Sequence, residues 1–309
     1  MECALFVPAV RCTKWLSEVL PGTSPAALPV AGRRLVDYQL ECAQNGGVSI
    51  CEVLDWLYSE ALEADFADLT RTGRPVFYVR ALGDVPSGLR DIEGYESPLT
   101  ADVSDGLVVA WGLVLPVRMP SFAGAEAVPE AELADTPPGL YRREGGRWTR
   151  LRADCMVVGD VRSWHALNFA VLRFPGAFTL PGYRSERGVH LGRNVVMERG
   201  AEAKRPVLLC DNTWLARNVR LEGSVIVGSG SFIGEGATLA RTIVCDDTYV
   251  GMGLDIRDKI VAGGRVIDPK TGAWADINEP GLARRIAFVP GWLRRAWHFI
   301  RGRSHGRRG

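Results

Sequence analysis

An aliphatic or small residue recurs at every sixth position through much of the C-terminal half of the chain. The repeat is clearest between residues 209 and 239, where its apolar positions are Leu209, Leu215, Leu221, Val227, Ile233 and Leu239. The same phase extends back to Leu191 and forward to Cys245. A period of six matches neither the 3.6-residue turn of an α-helix nor the two-residue alternation of a strand.

The residues between these positions suit short strands joined by sharp corners. Three places after the apolar position the chain often has Gly or Asn, which tolerate a positive φ angle, as at Asn194, Gly200, Asn212, Asn218, Gly230 and Gly236. The next residue is usually small or β-branched, which favours a pleated surface. The pattern predicts a parallel β-helix of hexapeptide repeats over 189–275. We expect its phase to slip after Cys245.

The N-terminal half alternates apolar strand patterns with helical ones. Strands are predicted at 3–10, 49–56, 75–82 and 106–116, and helices at 33–45 and 59–73. This order is typical of a parallel α/β sheet covered by helices. A Gly-Gly turn within 141–152 predicts a hairpin. The sequence therefore predicts an α/β domain over 1–165, a linker over 166–188 and the β-helix.

The composition disfavours membrane-spanning, disulfide-rich and zinc-binding classes of protein. The 309 residues contain no run of 18 apolar residues, so no spanning helix is expected. Seven cysteines without CxxC spacing indicate reduced thiols of a cytoplasmic protein. Four dispersed histidines disfavour a zinc site.

Three segments resemble the sugar-1-phosphate nucleotidyltransferases, in particular mannose-1-phosphate guanylyltransferase-like proteins. They are LPVAGRRLVDYQLE at 28–41, GDVRSWHALNFAVL at 159–172 and TIVCDDTYVGMGLDIRDKIVAGGRVID at 242–268. The resemblance implies a truncated Rossmann-like nucleotidyltransferase domain followed by a left-handed parallel β-helix. It also implies a reaction that joins a sugar 1-phosphate to a nucleoside triphosphate and releases pyrophosphate.

The resemblance further assigns candidate site residues. Thr13 would bind nucleotide, Lys14 and Arg33 would be catalytic, and Asp160 would bind the Mg²⁺ that the reaction requires. The alternative role for Asp160 is to cap the short helix that follows it.

This sequence departs from the family pattern at the first turn, where Ala9, Val10 and Cys12 stand at the glycine positions. Leu113 stands where the family has a second metal-binding aspartate. These departures predict a catalytically impaired relative that binds a nucleotide sugar or sugar phosphate as a regulatory or scaffold subunit in polysaccharide biosynthesis.

Two enzyme alternatives remain. One is an active pyrophosphorylase with a rearranged site that uses Lys14, Arg33 and Asp160. The other is a hexapeptide-repeat acyltransferase, which usually needs a histidine base on a projecting loop. His190 is the only histidine between 166 and 297, and it is predicted at the entrance of the β-helix.

The C-terminal tail, 284–309, has eight arginines and no acidic residue, although the whole chain carries a net charge of only +1. A helix over its centre would separate an apolar from a basic face, and the residues predicted to contact a membrane or partner are Trp292, Arg294, Arg295, Trp297, Phe299 and Arg301. Such a helix suits an anionic membrane surface, with a peripheral position at its inner face. It would equally suit a cap on the β-helix. We expect no nucleic-acid partner; the candidate protein partners are another copy of the chain, giving a homo-oligomer, or an active paralogue.

Overall fold

The computed structural model describes residues 3–8, 10–48, 50–55, 76–81, 84–93, 105–117, 125–152, 154–174, 176–184, 189–279 and 281–286. The chain divides into two compact units. Unit 1 comprises Met1–Pro181 with Asp268–Trp274, and unit 2 comprises Gly182–Ile267 with Ala275–Gly309. The helix predicted over 59–73 and the tail from 287 onward lie outside the described residues.

Unit 1 is an α/β unit. Its described helices are α1 (Lys14–Val19), α2 (Leu35–Asn45), α3 (Arg90–Glu93) and α4 (Val161–Arg173), with 3₁₀ turns at Arg11–Thr13 and Glu130–Leu133. Its strands are β1 (Cys3–Val7), β2 (Pro29–Val30), β3 (Arg33–Arg34), β4 (Ile50–Asp55), β5 (Val76–Ala81), β6 (Asp105–Trp111), β7 (Val114–Pro116), β8 (Glu126–Ala127), β9 (Gly139–Glu144), β10 (Arg147–Arg150) and β11 (Cys155–Val157).

Seven strands form the main sheet in the order β5-β4-β1-β6-β9-β10-β8. The first four are parallel, and β9, β10 and β8 are added in antiparallel fashion. Strand β1 is apolar throughout and wholly buried, and it lies inside the sheet between β4 and β6. Ala4 and Phe6 pack on the α2 side, while Cys3, Leu5 and Val7 belong to the core on the opposite side.

The apolar run at 106–116 is not the single strand that we predicted. Gly112, with φ +85°, breaks it into β6 and β7, and β7 pairs with β11 in a separate two-stranded sheet. The predicted helix at 33–45 begins at Leu35, since Arg33 and Arg34 form the second strand of the β2–β3 hairpin. The predicted Gly-Gly hairpin is present as β9 and β10.

The predicted linker of 166–188 begins inside α4, and α4 lies in unit 1. Trp164 and Asn168 of this helix are buried and bond to the β2–β3 hairpin: Trp164 Nε1 donates to the Pro29 carbonyl at 2.7 Å, and the Ala31 amide donates to Asn168 Oδ1 at 2.7 Å. These two bonds hold the turn of the hairpin, where Ala31 has a φ of +42°. The α/β unit therefore extends beyond residue 165.

Unit 2 contains the predicted β-helix. Its strands are β12 (Tyr183–Arg184), β13 (Val189–Leu191), β14 (Val196–Met197), β15 (Glu202–Lys204), β16 (Val207–Leu209), β17 (Trp214–Leu215), β18 (Arg220–Val227), β19 (Phe232–Ile233), β20 (Thr238–Val244), β21 (Thr248–Val250), β22 (Asp255–Arg257), β23 (Ile260–Ala262), β24 (Arg265–Ile267), β25 (Trp274–Asp276), which extends from unit 1 into unit 2, and β26 (Ala283–Arg285).

The six-residue repeat produces coils in which three hexapeptides complete one turn of the solenoid. Val189 pairs in parallel with Val207, and Val207 with Val225. The aliphatic positions of successive coils stack inside the solenoid, as in the column Leu191, Leu209 and Val227. The predicted corner residues Asn194, Asn212, Asn218, Gly200, Gly230 and Gly236 all have positive φ angles. The predicted fold, an α/β unit followed by a left-handed parallel β-helix, is thus confirmed.

The phase of the repeat slips earlier than predicted. Glu222 pairs with Ala240 in the regular register of the coils, but Val225 pairs with Thr242 and not with Ile243. A single residue with positive φ, Arg241, thus replaces the longer corner of the preceding coil and shortens this coil. As a result Val244, not Cys245, is the buried residue that stacks on Val227.

Candidate functional site

The carboxyl ends of β1, β4 and β6 lie at one edge of the main sheet. Strand β4, which follows β1 by way of α2, lies beside β1 in the sheet. Strand β6, which follows β5 by way of α3, lies on the opposite side of β1. Ligands of open α/β sheets bind in the crevice at such a reversal of strand order. The turns after β1 and β6 are therefore the candidate location of a ligand site in unit 1.

The turn after β1 is closed by its own hydrogen bonds. Val10 is extended, with a φ of −126°, and its amide donates to the Pro8 carbonyl at 3.2 Å. The amide and the hydroxyl of Thr13 both donate to the Val10 carbonyl, at 2.9 and 2.7 Å. Because both amides bond within the turn, they do not form the cluster of outward N–H groups that binds phosphate. Ala9 and the side chain of Cys12 lie outside the described residues.

Apolar side chains fill the space beside this turn. Val10 is only 3% exposed and belongs to a cluster with Leu89, Ile92 and Trp111, against which Leu133 also packs. Leu89 and Ile92 come from the α3 region, whereas Leu133 comes from the excursion between β8 and β9. The branched side chain of Val10 therefore serves as core packing at the position where the resemblance implies glycine.

Thr136 holds this excursion over the end of β6. Its carbonyl accepts a bond from Trp111 Nε1 at 2.8 Å, and its hydroxyl oxygen accepts one from the Leu89 amide at 2.9 Å. The backbone of Leu133 and Ala134 approaches Gly88 so closely that no Cβ would fit there. The end of this excursion, around Leu133 and Thr136, is thus anchored to the sheet.

Asp160 is the N-cap of α4. Its Oδ1 accepts bonds from the Ser163 amide at 2.7 Å and from the Ser163 hydroxyl at 2.6 Å. These bonds lower the pKa of the Asp160 carboxyl below its usual value. Asp160 therefore has the helix-capping role that was the alternative to metal binding.

The Asp160 region does lie beside the strand position that the resemblance assigns to a second carboxylate. The Val158 amide donates to the Leu113 carbonyl at 2.8 Å, which brings the turn before α4 next to the end of β6. The side chain at that position is apolar and fully buried, since it is Leu113. Within the described ranges no group of three His, Cys, Asp or Glu side chains could hold a metal ion. One capped carboxylate does not fit Mg²⁺, which needs several oxygen ligands.

The two predicted catalytic cations have different surroundings. Lys14 is exposed at the start of α1, and Trp15, which follows it, lies 6.1 Å from Trp164 of α4 between ring centroids. The first turns of α1 and α4 are thus neighbours. Arg33 instead donates to Glu41 Oε2 at 2.6 Å and to the Thr179 carbonyl at 2.8 Å.

The ring of Tyr38 also lies 4.6 Å from the Arg33 guanidinium carbon. Arg33 is therefore engaged in packing the hairpin against α2 and the chain after α4. The catalytic roles of Lys14 and Arg33, the nucleotide-binding role of Thr13 and the metal-binding role of Asp160 stay predictions.

Two buried groups near this edge were missed from the sequence. Asp55, at the end of β4, is fully buried; it accepts a bond from the Ala26 amide at 3.0 Å and another from the Ser24 hydroxyl. Asn168 holds the Ala31 amide, as described above. The sequence signal for Asp55 was an acidic residue at the end of an apolar strand. The signal for Asn168 was an amide side chain four positions after Trp164, on the same face of the helix.

His190, the candidate acyltransferase base, lies within β13 and not on a projecting loop. The described coils that follow β13 keep the hexapeptide register or are shorter by a residue. The segments between their strands are therefore corners and not projecting loops. The tail residues Trp292, Arg294, Arg295, Trp297, Phe299 and Arg301 lie outside the described residues. Among the described helices none is both long enough and apolar enough to cross a membrane.

Comparison with known proteins gives a distant relative. The chain is 28% identical over 120 residues to a UTP–glucose-1-phosphate uridylyltransferase of Synechocystis sp. (strain ATCC 27184 / PCC 6803 / Kazusa). The match covers 38% of this chain and 31% of the relative, so the chain spans about a third of that protein's length. No family model matches. The similarity supports a relationship to sugar-phosphate nucleotidyltransferases.

Proposed function

We propose that this protein is a nucleotidyltransferase-like binding subunit of nucleotide-sugar metabolism whose own catalysis is impaired. Its ligand would be a nucleotide sugar or a sugar phosphate, and its role would be regulatory or scaffolding in polysaccharide synthesis. The observation that carries the proposal is the turn after β1, where the Val10 and Thr13 amides bond internally and Val10 packs in the core.

Nucleotidyl transfer makes electrostatic demands that this edge of the sheet meets only in part. Charge shifts onto the leaving pyrophosphate, so backbone amides, cations and Mg²⁺ must be placed around it. The Val10 and Thr13 amides bond within the turn, Arg33 is paired with Glu41 and the carboxylate of Asp160 caps α4. A site with these losses retains shape and some charge, which suits binding better than turnover.

An active enzyme with a rearranged site is the second candidate. It is favoured by one contact, between Trp15 and Trp164, which brings the first turn of α1 and its exposed Lys14 beside α4 and Asp160. A lysine supplies charge to a phosphate without the bidentate geometry of arginine. In that case Lys14 would neutralise charge on the triphosphate, and Asp160 would have to leave its capping bond and act with further oxygen ligands to hold Mg²⁺.

A pyrophosphate-release assay separates the two candidates. The purified full chain is incubated with Mg²⁺, each common nucleoside triphosphate and a panel of sugar 1-phosphates. We expect no release above the enzyme-free background. Turnover that disappears in both Lys14→Ala and Asp160→Asn, but persists in the control Lys204→Ala on β15, would instead establish the active enzyme.

Binding is measured separately, by thermal unfolding with nucleotide sugars and sugar phosphates. A ligand at about 100 times its Kd stabilises the folded state by about 2.7 kcal/mol. We expect such a shift with at least one ligand of the panel. If neither turnover nor a shift is found, the proposal that unit 1 binds these compounds is wrong.

A further inference from the structure

Three aromatic side chains form a column on one outer face of the β-helix. Trp214, Phe232 and Tyr249 occupy equivalent positions on β17, β19 and β21. Their ring centroids follow one another at 6.3 and 5.7 Å, with interplanar angles of 25° and 18°. We call these three residues the aromatic ladder.

The ladder faces away from the solenoid interior. The residue after each ring, Leu215, Ile233 or Val250, is fully buried and belongs to the inner core. Because neighbouring residues of a strand point to opposite faces, the rings point outward, and all three are partly exposed. Val196 on β14 pairs with Trp214 and adds exposed apolar surface to the same face. The result is a continuous apolar stripe, which is typical of an interaction site.

The described chain ends at this same sheet. Strand β26 pairs in antiparallel fashion with β21, with Arg284 opposite Tyr249. The Arg284 guanidinium carbon lies 5.3 Å from the centre of the Tyr249 ring, within the range of a cation–π contact. The Ile286 amide then donates to the Asp247 carbonyl. The first arginine of the basic tail is therefore already placed on the last ring of the ladder.

The sequence that follows has the composition and length to cover the ladder. Trp292, Trp297 and Phe299 recur with arginines between them, which repeats the pairing of arginine with aromatic rings seen at Arg284. The segment 291–301 as a helix would be about 16 Å long, enough to pass both steps of the ladder. Residues 287–290 could span about 13 Å as a connection. Nearby acidic groups suit a basic segment: Glu198 accepts a bond from Trp214 Nε1 at 3.0 Å.

We propose that residues 287–301 bind intramolecularly to the aromatic ladder. Tethering keeps this segment at an effective concentration in the millimolar range, so a modest affinity is enough to hold it there. Bound in this way, its apolar residues are withdrawn from other partners. The inference goes beyond the proposed function and does not depend on ligand binding by unit 1.

Limited trypsin digestion of the full chain tests the proposal, because Arg294 and Arg295 are cleavage sites inside the segment. Cleavage is followed by mass spectrometry at low protein concentration without lipid. We expect cutting after these arginines to be about tenfold faster in Phe232→Ala than in the unmodified protein. The control Met252→Ala, which removes a 65% exposed side chain that is not part of the ladder, should cut at the unmodified rate.

A second variant, Trp297→Ala, removes the partner side and leaves the β-helix untouched. It should also be cut about tenfold faster, and it decides the question if Phe232→Ala does not fold. Equal cutting of Trp297→Ala and the unmodified protein would overturn the proposal. So would protection that requires vesicles containing anionic lipid, which would indicate a membrane site, or protection that rises with protein concentration, which would indicate a second copy.

Discussion

Asp160 stands at the position that the resemblance assigns to metal binding, but its carboxylate caps the helix that follows it. Its bonds to Ser163 satisfy the amide at the start of α4 and lower the pKa of the carboxyl. Val10 is a similar case, since the valine matters as a core side chain beside Leu89 and Trp111. At this scale, helix capping accounts for Asp160 and core packing for Val10, without any ligand.

Replacing Asp160 tests the capping role. Asp160→Ala should lower the free energy of unfolding by about 1 kcal/mol at pH 7, because an N-cap is lost, whereas Asp160→Asn retains a good cap and should change it by a few tenths. The lowered pKa means that the contribution is present above about pH 3.8 and is lost as pH falls through the pKa in the folded state. Urea unfolding at pH 7 and pH 3 measures both effects; equal losses in Ala and Asn would contradict them.

At the scale of elements, the repeat determines which side chains carry stability. Met197 and Leu215 pair in register on β14 and β17 and occupy the same position of successive coils. Leu215 is fully buried, whereas Met197 is 40% exposed, because it lies in the first coil.

These two residues form a matched pair of substitutions. Leu215→Ala should lower the free energy of unfolding by about 2–5 kcal/mol, the cost of emptying a close-packed core position. Met197→Ala should cost less than about 1 kcal/mol, since much of its side chain is already in water. Urea denaturation of both variants gives the comparison. A similar cost for the two would mean that the inner column is not the stabilising element.

Periodicity made the β-helix predictable, because each coil contacts only its neighbours and its pattern is local in the sequence. The break at Gly112 and the slip at Arg241 were not predictable in this way. The first depends on pairing with a distant strand, β11, and the second on the length of a single corner relative to the neighbouring coil, β18. The candidate site was predictable to a similar extent, because Thr13, Lys14 and Asp160 lie in short motifs that can be recognised in the sequence. The packing of Leu89 and Leu133 on Val10 is a long-range contact that no motif encodes.

At the scale of the whole molecule, the thiols are distributed through both units. The six cysteines whose side chains are described are free, and Cys3, Cys51 and Cys210 are almost fully buried. Burial raises the pKa of the Cys3 thiol to about 11 and that of Cys51 to about 12, from a usual 9.0. These groups stay neutral in the folded protein and behave as small apolar side chains.

The raised pKa values predict a loss of stability at alkaline pH. The folded protein keeps the thiol protons that the unfolded chain releases above pH 9, so this stabilising contribution is complete below pH 9. It then declines as pH rises towards 11 to 12. Urea unfolding between pH 7 and 10.5 should show the decline. It should be shallower in Cys51→Ala; an unchanged slope in that variant would contradict the assignment.

Three strands of the solenoid run antiparallel to the strands on which they lie. Strand β12 lies antiparallel on β13, while β26 lies antiparallel on β21 and β24 on β23. A further copy cannot continue the parallel register across these reversed strands, so head-to-tail growth into fibres is blocked at those edges. Each of these reversed strands therefore ends the run of parallel pairing on its side of the solenoid.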